Sequence, residues 1–127
     1  MRALLQRVSE ASVEVDGERR AKIANGLVVL LGVGAGDEER RAELLAKKVA
    51  ELRIFADEAG KMNRSLIDVG GECLVVSQFT LYADLRRGRR PYFGDAEKPE
   101  RASALCQAFV QALRGTNVAV QEGVFGA

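Results

Sequence analysis

The sequence predicts an α+β domain, with curved antiparallel sheets forming a barrel-like body and two helices packed on it. Three observations lead there. Short stretches of alternating apolar and polar residues are punctuated by turns at Asp16-Gly17 and Asn25-Gly26. One run, Leu27–Val33, is apolar throughout and reads as a strand covered on both faces. Two longer stretches carry the 3.6-residue period of amphipathic helices.

Arg2–Ser9, Ser12–Asp16 and Arg19–Ala24 read as strands; in the second, Val13 and Val15 alternate with Ser12 and Glu14. Asp16-Gly17 suits a two-residue hairpin turn, because glycine tolerates positive φ. Gly32, Gly34 and Gly36 then lead into a helix. Their spacing imitates a nucleotide-binding loop. However, Asp37 stands where the third glycine of G-x-G-x-x-G belongs, and no Lys-Ser/Thr follows. A plain strand-to-helix turn is the better reading. Asp37–Leu52 is the first helix, with Ala42, Leu45, Val49 and Leu52 inward and Glu38 and Glu39 at its positive end. Arg53–Ala56, Ser65–Val69 and Glu72–Thr80 are further strands, separated by turns at Asp57–Gly60 and Gly70-Gly71. The second helix opens at Pro99, whose missing N–H costs nothing in the first turn, and runs to Arg114 with Gly115 as its cap. Ala102, Leu105, Cys106, Phe109, Val110 and Leu113 form its inward stripe. Asn117–Gln121 is the last strand.

A chain of 127 residues, 47% hydrophobic and 29% charged, fits one globular domain and argues against disorder. No apolar run approaches the roughly 18 residues of a membrane helix. Met1–Arg7 returns to charge too soon for a signal peptide, so a cytoplasmic location is expected. The net charge is only +1, yet Arg86, Arg87, Arg89 and Arg90 crowd into five positions. Such a run is usually a solvated loop, and it is also a candidate phosphate contact. Cys73 and Cys106 each sit in an apolar pattern and read as small buried hydrophobes of a reducing compartment. Neither has a zinc-ligand spacing, so no metal is expected. The sequence contains no histidine, which excludes Ser-His-Asp and Cys-His catalysis and a His-ligated zinc.

The chemistry concentrates in Val75–Tyr82, an apolar strand that ends in the hydroxyl and amide groups of Ser77, Gln78 and Thr80. Strand ends project side chains from a rigid sheet. Such residues are also ordinary at strand ends, and taken alone the segment is a weak signal. Ser77-Gln78-Phe79-Thr80-Leu81, however, matches the SQFTL signature of the D-aminoacyl-tRNA deacylases. Leu4–Val8, Ala11–Val13 and Gly26–Val33 resemble the family's opening strands, and Arg53–Phe55 with Gly60–Asn63 its middle. Gly88-Arg89-Arg90-Pro91-Tyr92-Phe93 is similar to its G-x-R-P-S-F loop, with Tyr92 in place of Ser. Gly123–Ala127 resembles the stretch before its final strands. The order and spacing together make the resemblance specific across nearly the whole chain.

The resemblance implies a cofactor-free homodimeric hydrolase that cleaves the ester joining a D-amino acid, or glycine, to the terminal adenosine of tRNA. Its partners would be D-aminoacyl-tRNA and glycyl-tRNA, with no membrane involved. An aminoacyl ester is already activated, which fits a chain without histidine. The resemblance further implies that Phe79 and Thr80 present main-chain N–H groups to the oxyanion. Ser77, Gln78 and Phe125 would shape the pocket, Arg86, Arg87, Arg89 and Arg90 would meet tRNA phosphates, and Arg7 would support the site. Thr80 Oγ is the candidate nucleophile, but nothing near it in sequence would take its proton, so an orienting role is favoured. The family also carries a Gly-Pro dipeptide near its C-terminus that excludes L-amino acids. Pro91 and Pro99 follow Arg90 and Lys98 instead. The expectation is thus a C-terminally incomplete domain, inactive or poorly selective as it stands. Two other readings are an editing domain of an archaeal-type threonyl-tRNA synthetase, which shares the fold, and a non-catalytic nucleic-acid-binding or dimerisation module.

Overall fold

The computed structural model describes Met1–Ala127. The elements follow as β1 (Arg2–Val8), β2 (Ala11–Val15), β3 (Glu18–Ile23), β4 (Gly26–Gly32), α1 (Glu39–Glu51), β5 (Phe55–Ala56), β6 (Met62–Arg64), β7 (Glu72–Ser77), α2 (Pro99–Arg114) and β8 (Ala119–Glu122). A 3₁₀ turn, Phe79–Tyr82, continues directly from β7. The main sheet has the order β1-β4-β7-β8, and β2–β3 and β5–β6 form two smaller ladders.

The residues of β4 and β7 explain why this sheet is covered on both sides. Leu27, Val29, Leu31, Cys73 and Val75 point toward α1 and α2 and pack with Ala46, Val49, Phe109 and Leu113. The alternate residues Val28, Leu74 and Val76 point the other way, where Ala21, Ile23 and Val13 of the β2–β3 hairpin cover them. The unbroken apolar run therefore marks a two-faced strand, as the sequence predicts. The hairpin turns at Asp16 (φ 52°) and Gly17 (φ 77°), the pair of positive φ values that a type I′ turn requires.

The α+β class and its two packed helices stand, and α2 has the expected bounds. Strand direction is a correction. β1 is antiparallel to β4, but β4–β7 and β7–β8 are parallel, so the sheet is mixed. The reason is that α1 lies between β4 and β7 in sequence, and α2 between β7 and β8. Each helix carries the chain back to the end where it started, which makes the next strand parallel.

Four local readings also change. Ser65–Val69 is a turn, not a strand. The Ser65 N–H donates to Asp68 Oδ2 (2.9 Å) and the Asp68 N–H to Ser65 Oγ (3.1 Å), a reciprocal pair that outcompetes a ladder. Strand β7 stops at Ser77 rather than Thr80. Helix α1 begins at Glu39, because the Asp37 carboxylate is occupied by the Gly34 N–H (2.7 Å) and by the Met1 ammonium (2.7 Å). Its buried stripe is Ala42, Ala46, Val49 and Ala50, while Leu52 is exposed, since small residues let the helix lie close to its neighbours.

Candidate active site

Strand β7 delivers its polar end to one rim of the sheet. Ser77 pairs with Leu31 of β4, and the Gln78 N–H extends the ladder to the Leu31 carbonyl at 2.8 Å. The chain then tightens into the 3₁₀ turn, where the Leu81 N–H bonds the Gln78 carbonyl (3.3 Å) and the Ala83 N–H bonds that of Thr80 (3.0 Å). The N–H groups of Phe79 and Thr80 precede the first bond of this turn and have no acceptor within it. Two contacts hold the turn in place. Arg2 Nη1 donates to the Leu81 carbonyl at 2.7 Å, and its guanidinium lies 4.4 Å from the centre of the Tyr82 ring. That ring rests on the glycine stretch after β4: a Cβ on Gly34 would come within 2.9 Å of it. Gly32 and Gly34 thus serve the packing of the turn, whereas Gly36 has open space around it and a φ of 82°.

Beneath the turn lies a cavity of about 420 Å³. It brings together Ser77, Gln78 and Phe79 with Phe125, and Leu31, Val33, Pro99, Ala102 and Cys106 complete its apolar walls. Phe125 reaches it because the Gly123 N–H bonds the Val75 carbonyl at 2.9 Å, tying the segment after β8 to β7. A smaller cavity of about 70 Å³ adjoins it and shares Ser77, Cys106 and Phe125.

Thr80 is outside the cavity lining and exposed. Its hydroxyl oxygen is the partner of the Gln78 side-chain amide. An amide is no base in either orientation, so Thr80 lacks a group that could take its proton. Cys106 is no better a nucleophile, because burial, helped by the Glu122 carboxylate, pushes its thiol up to about 11. Glu97 is the one charged side chain in the lining. The Lys98 N–H reaches its Oε1 at 2.9 Å and the Gly36 N–H its Oε2 at 3.1 Å. These bonds, with Arg101 beside them, hold the Glu97 carboxyl below its usual range.

Phe79 is 59% exposed at the mouth and meets Phe93 edge-on, with ring centroids 5.1 Å apart. Phe93 ends the arginine-rich loop, which is closed by paired bonds between Asp84 and Tyr92 (2.7 and 2.9 Å) and turns at Gly88 (φ 68°). Within the loop Arg86 is committed to Asp84, with Nη2 2.8 Å and Nε 3.0 Å from its carboxylate. Arg87, Arg89 and Arg90 are exposed and make no ion pair in the chain.

Arg7 does not join this group. It pairs with Leu27, four residues along β4 from Leu31 and hence about 13 Å away, and its guanidinium donates to the Ile54 carbonyl at 3.0 Å. Sequence reasoning did not place Glu97 at the cavity. Its signal was a carboxylate two positions before the proline that opens α2, where main-chain N–H groups stand unpaired.

The sequence profile of the family described as D-Tyr-tRNA(Tyr) deacylase matches residues 4–127. A D-aminoacyl-tRNA deacylase of Roseiflexus castenholzii is 62% identical over 127 residues, covering all of this chain and 81% of that protein. One from Thermosipho africanus is 53% identical and covers all of this chain and 85% of its own length. Among solved structures, one described as c-Myc DNA unwinding element binding protein superposes with a TM-score of 0.92 at 39% identity, covering 100% of this chain and 87% of that one. A probable eukaryotic D-amino acid tRNA deacylase superposes with a TM-score of 0.78 over 98% of this chain and 88% of its own. At 16% identity that second likeness concerns the fold alone.

Proposed function

The chain belongs to the D-Tyr-tRNA(Tyr) deacylase family, and from that membership we propose that it proofreads translation by hydrolysing the ester between a D-amino acid, or glycine, and the 3′-terminal adenosine of tRNA. The observation that carries this reading is the cavity walled by Ser77, Gln78 and Phe79 at the end of β7. An apolar slot with a few convergent polar groups is the usual form of a small-substrate site.

In this reading, water adds to the ester carbonyl, and the carbonyl oxygen becomes an oxyanion. The N–H groups of Phe79 and Thr80 stabilise that charge. The bond to the ribose oxygen then breaks, releasing the amino acid and a tRNA with a free terminal hydroxyl. The neighbouring 2′-hydroxyl of the substrate assists with the proton. Gln78 and Ser77 shape the pocket, and the Thr80 hydroxyl, tied to Gln78, orients the turn rather than attacking. The exposed rings of Phe79 and Phe125 offer stacking surface to the terminal nucleotide. Arg87, Arg89 and Arg90, joined by Arg86 where Asp84 releases it, track the tRNA phosphates. The enzyme works in the cytoplasm, beside translation, as a homodimer. The open edge of β1, with Leu4 exposed on it, supports that association. Arg7 stands near Ile54 and acts as structural support for the site through the assembled dimer.

The experiment is a deacylation assay on D- and L-tyrosyl-tRNA with the wild-type chain and Thr80→Ala. Release of D-tyrosine by both proteins is expected, with the variant within about tenfold of wild type. Loss of nearly all activity in the variant would make Thr80 the nucleophile. Retention of tRNA without release of amino acid would instead favour the second reading, a non-catalytic nucleic-acid-binding module. The name of the structural relative at 39% identity, a DNA unwinding element binding protein, gives that reading its support.

A further inference from the structure

The reaction depends on where two main-chain N–H groups point, and the turn that carries them has little of its own to hold it. Phe79–Tyr82 is a single 3₁₀ turn without a fully buried side chain, and one of its bonds, from the Leu81 N–H to the Gln78 carbonyl, is 3.3 Å long. Resting on the deacylase reading, we propose that Arg2 and Tyr82 are positioning residues for the reaction: together they clamp this turn onto β4 and so aim the N–H groups of Phe79 and Thr80 at the oxyanion.

Strand register brings the clamp together. Arg2 opens β1 and pairs with Gly32, the last residue of β4, so the two positions share one face of the sheet. The turn lies on that face: a Cβ at Gly32 would stand 3.1 Å from Leu81 Cβ, and 3.2 Å from both the Gln78 carbonyl oxygen and Tyr82 Cδ2. Glycine therefore lets the turn settle directly on the strand, and the arginine opposite reaches across to it. Arg2 Nη1 donates to the Leu81 carbonyl at 2.7 Å, a charge-assisted bond, while the guanidinium lies 4.4 Å from the centre of the Tyr82 ring. The same ring stands against Gly34, where a Cβ would come within 2.9 Å of three of its side-chain atoms. Arg2 makes no ion pair in the chain, so no carboxylate draws it away from the turn. A one-residue slip of β1 would send Arg2 to the opposite face and open the clamp. Such fixing matters to the rate, because misplacing a reacting group by about 1 Å can cost on the order of 10²-fold.

The test joins kinetics on D-tyrosyl-tRNA with amide nitrogen relaxation of Phe79 and Thr80, and melting temperatures are recorded alongside. Arg2→Ala and Tyr82→Leu should each lower kcat about tenfold to a hundredfold with KM and melting temperature little changed, as loss of transition-state alignment requires. Gly34→Ala should do the same without touching Arg2, by pushing the Tyr82 ring off its seat. Tyr82→Phe keeps the ring face that holds a cation and should stay within about threefold of wild type. Because both residues act through one clamp, the Arg2→Ala/Tyr82→Leu double variant should be no slower than the worse single variant. The two amides should have order parameters near ~0.85 in wild type and fall toward ~0.6 in Arg2→Ala. Unchanged kcat and unchanged amide order in Arg2→Ala would overturn the proposal. A raised KM at constant kcat would make Arg2 a tRNA contact instead, and a general loss of melting temperature would make it a structural residue; either result overturns the proposal too. The relaxation readout needs no turnover, so the two readings can fail separately. Amide order that depends on Arg2, in a wild-type chain that releases no D-tyrosine, upholds the clamp and defeats the deacylase reading alone. Brisk hydrolysis by wild type and Arg2→Ala alike defeats the clamp alone.

Discussion

Asp84 shows how much of the arginine run a sequence can and cannot reveal. Four arginines in five positions look equivalent on paper, yet the fold gives Arg86 a partner two residues upstream. That partnership fixes the Asp84 charge. The Arg86 guanidinium, then the Arg86 N–H, hold the Asp84 carboxyl at about 2, down from an ordinary 3.8. A depressed carboxyl stabilises the folded loop at pH values above its ordinary range, and the contribution fades as pH falls toward 2. The loop should therefore stay closed across neutral and mildly acidic pH and loosen only below about pH 4. Following the Asp84 carboxyl carbon by NMR should give a midpoint near 2 in the wild-type chain and a higher one in Arg86→Ala, still below 3.8 because the main-chain N–H of residue 86 remains. A wild-type midpoint near 3.8 would mean that the ion pair does not persist in solution. The same contrast separates the site residues. Ser77, Gln78, Phe79 and Phe125 meet because β-ladder register brings them to one rim, which the SQFTL segment foreshadows only through resemblance. Glu97 comes from a different part of the chain, and no periodicity links it to β7.

At the scale of elements, the legible parts were those whose burial repeats along the chain. Helix α2 shows a complete apolar stripe over 16 residues, and its bounds followed. Strand β4 is apolar on both faces because it is covered on both. The parts that were not legible are governed by single side-chain-to-backbone bonds. Ser65 and Asp68 fold Ser65–Val69 into a turn although its residues would suit a strand. Asp37 is drawn out of the first helix by the Met1 ammonium. Parallel direction in the sheet was hidden for another reason: it depends on which strands a helix connects, and that is a property of topology rather than of local pattern. The arginine loop yields a prediction at this scale. Each phosphate contact contributes about 0.7–0.9 to the slope of log affinity against log salt. Arg87→Ala/Arg89→Ala/Arg90→Ala should therefore lower the slope for tRNA by about 2–3. Arg86→Ala alone should change it by less than about 1, since Asp84 already neutralises that side chain. Filter binding of tRNA at several salt concentrations measures both. An unchanged slope in the triple variant would leave the run as a solvated surface.

The whole molecule is a sheet between two unequal cores, and this arrangement decides how it should unfold. On the helix side Phe109, Leu113, Leu27 and Leu31 are fully or almost fully buried. On the hairpin side the buried set is only Ala21, Ile23 and Leu74, with half-buried valines around it. Leu74 stands on β7, the strand whose next residue, Val75, belongs to the larger core and whose end builds the site. Because one strand serves both cores, loss of packing on either face should be felt by the other, and the 127 residues should unfold as one domain. Leu74→Ala should cost about 2–5 kcal/mol and Phe109→Ala about 3–5 kcal/mol, the range for buried large-to-small changes. In urea both variants should keep a single transition, seen alike by far-ultraviolet circular dichroism and by fluorescence of the two tyrosines, with the midpoint lowered and the slope unchanged. Should Leu74→Ala instead unfold in two steps, with the hairpin lost first and the helices retained, the hairpin would be a separate cooperative unit. The site would then rest on the helix-side core alone, because Leu31, Ala102 and Cys106 line the cavity from that side.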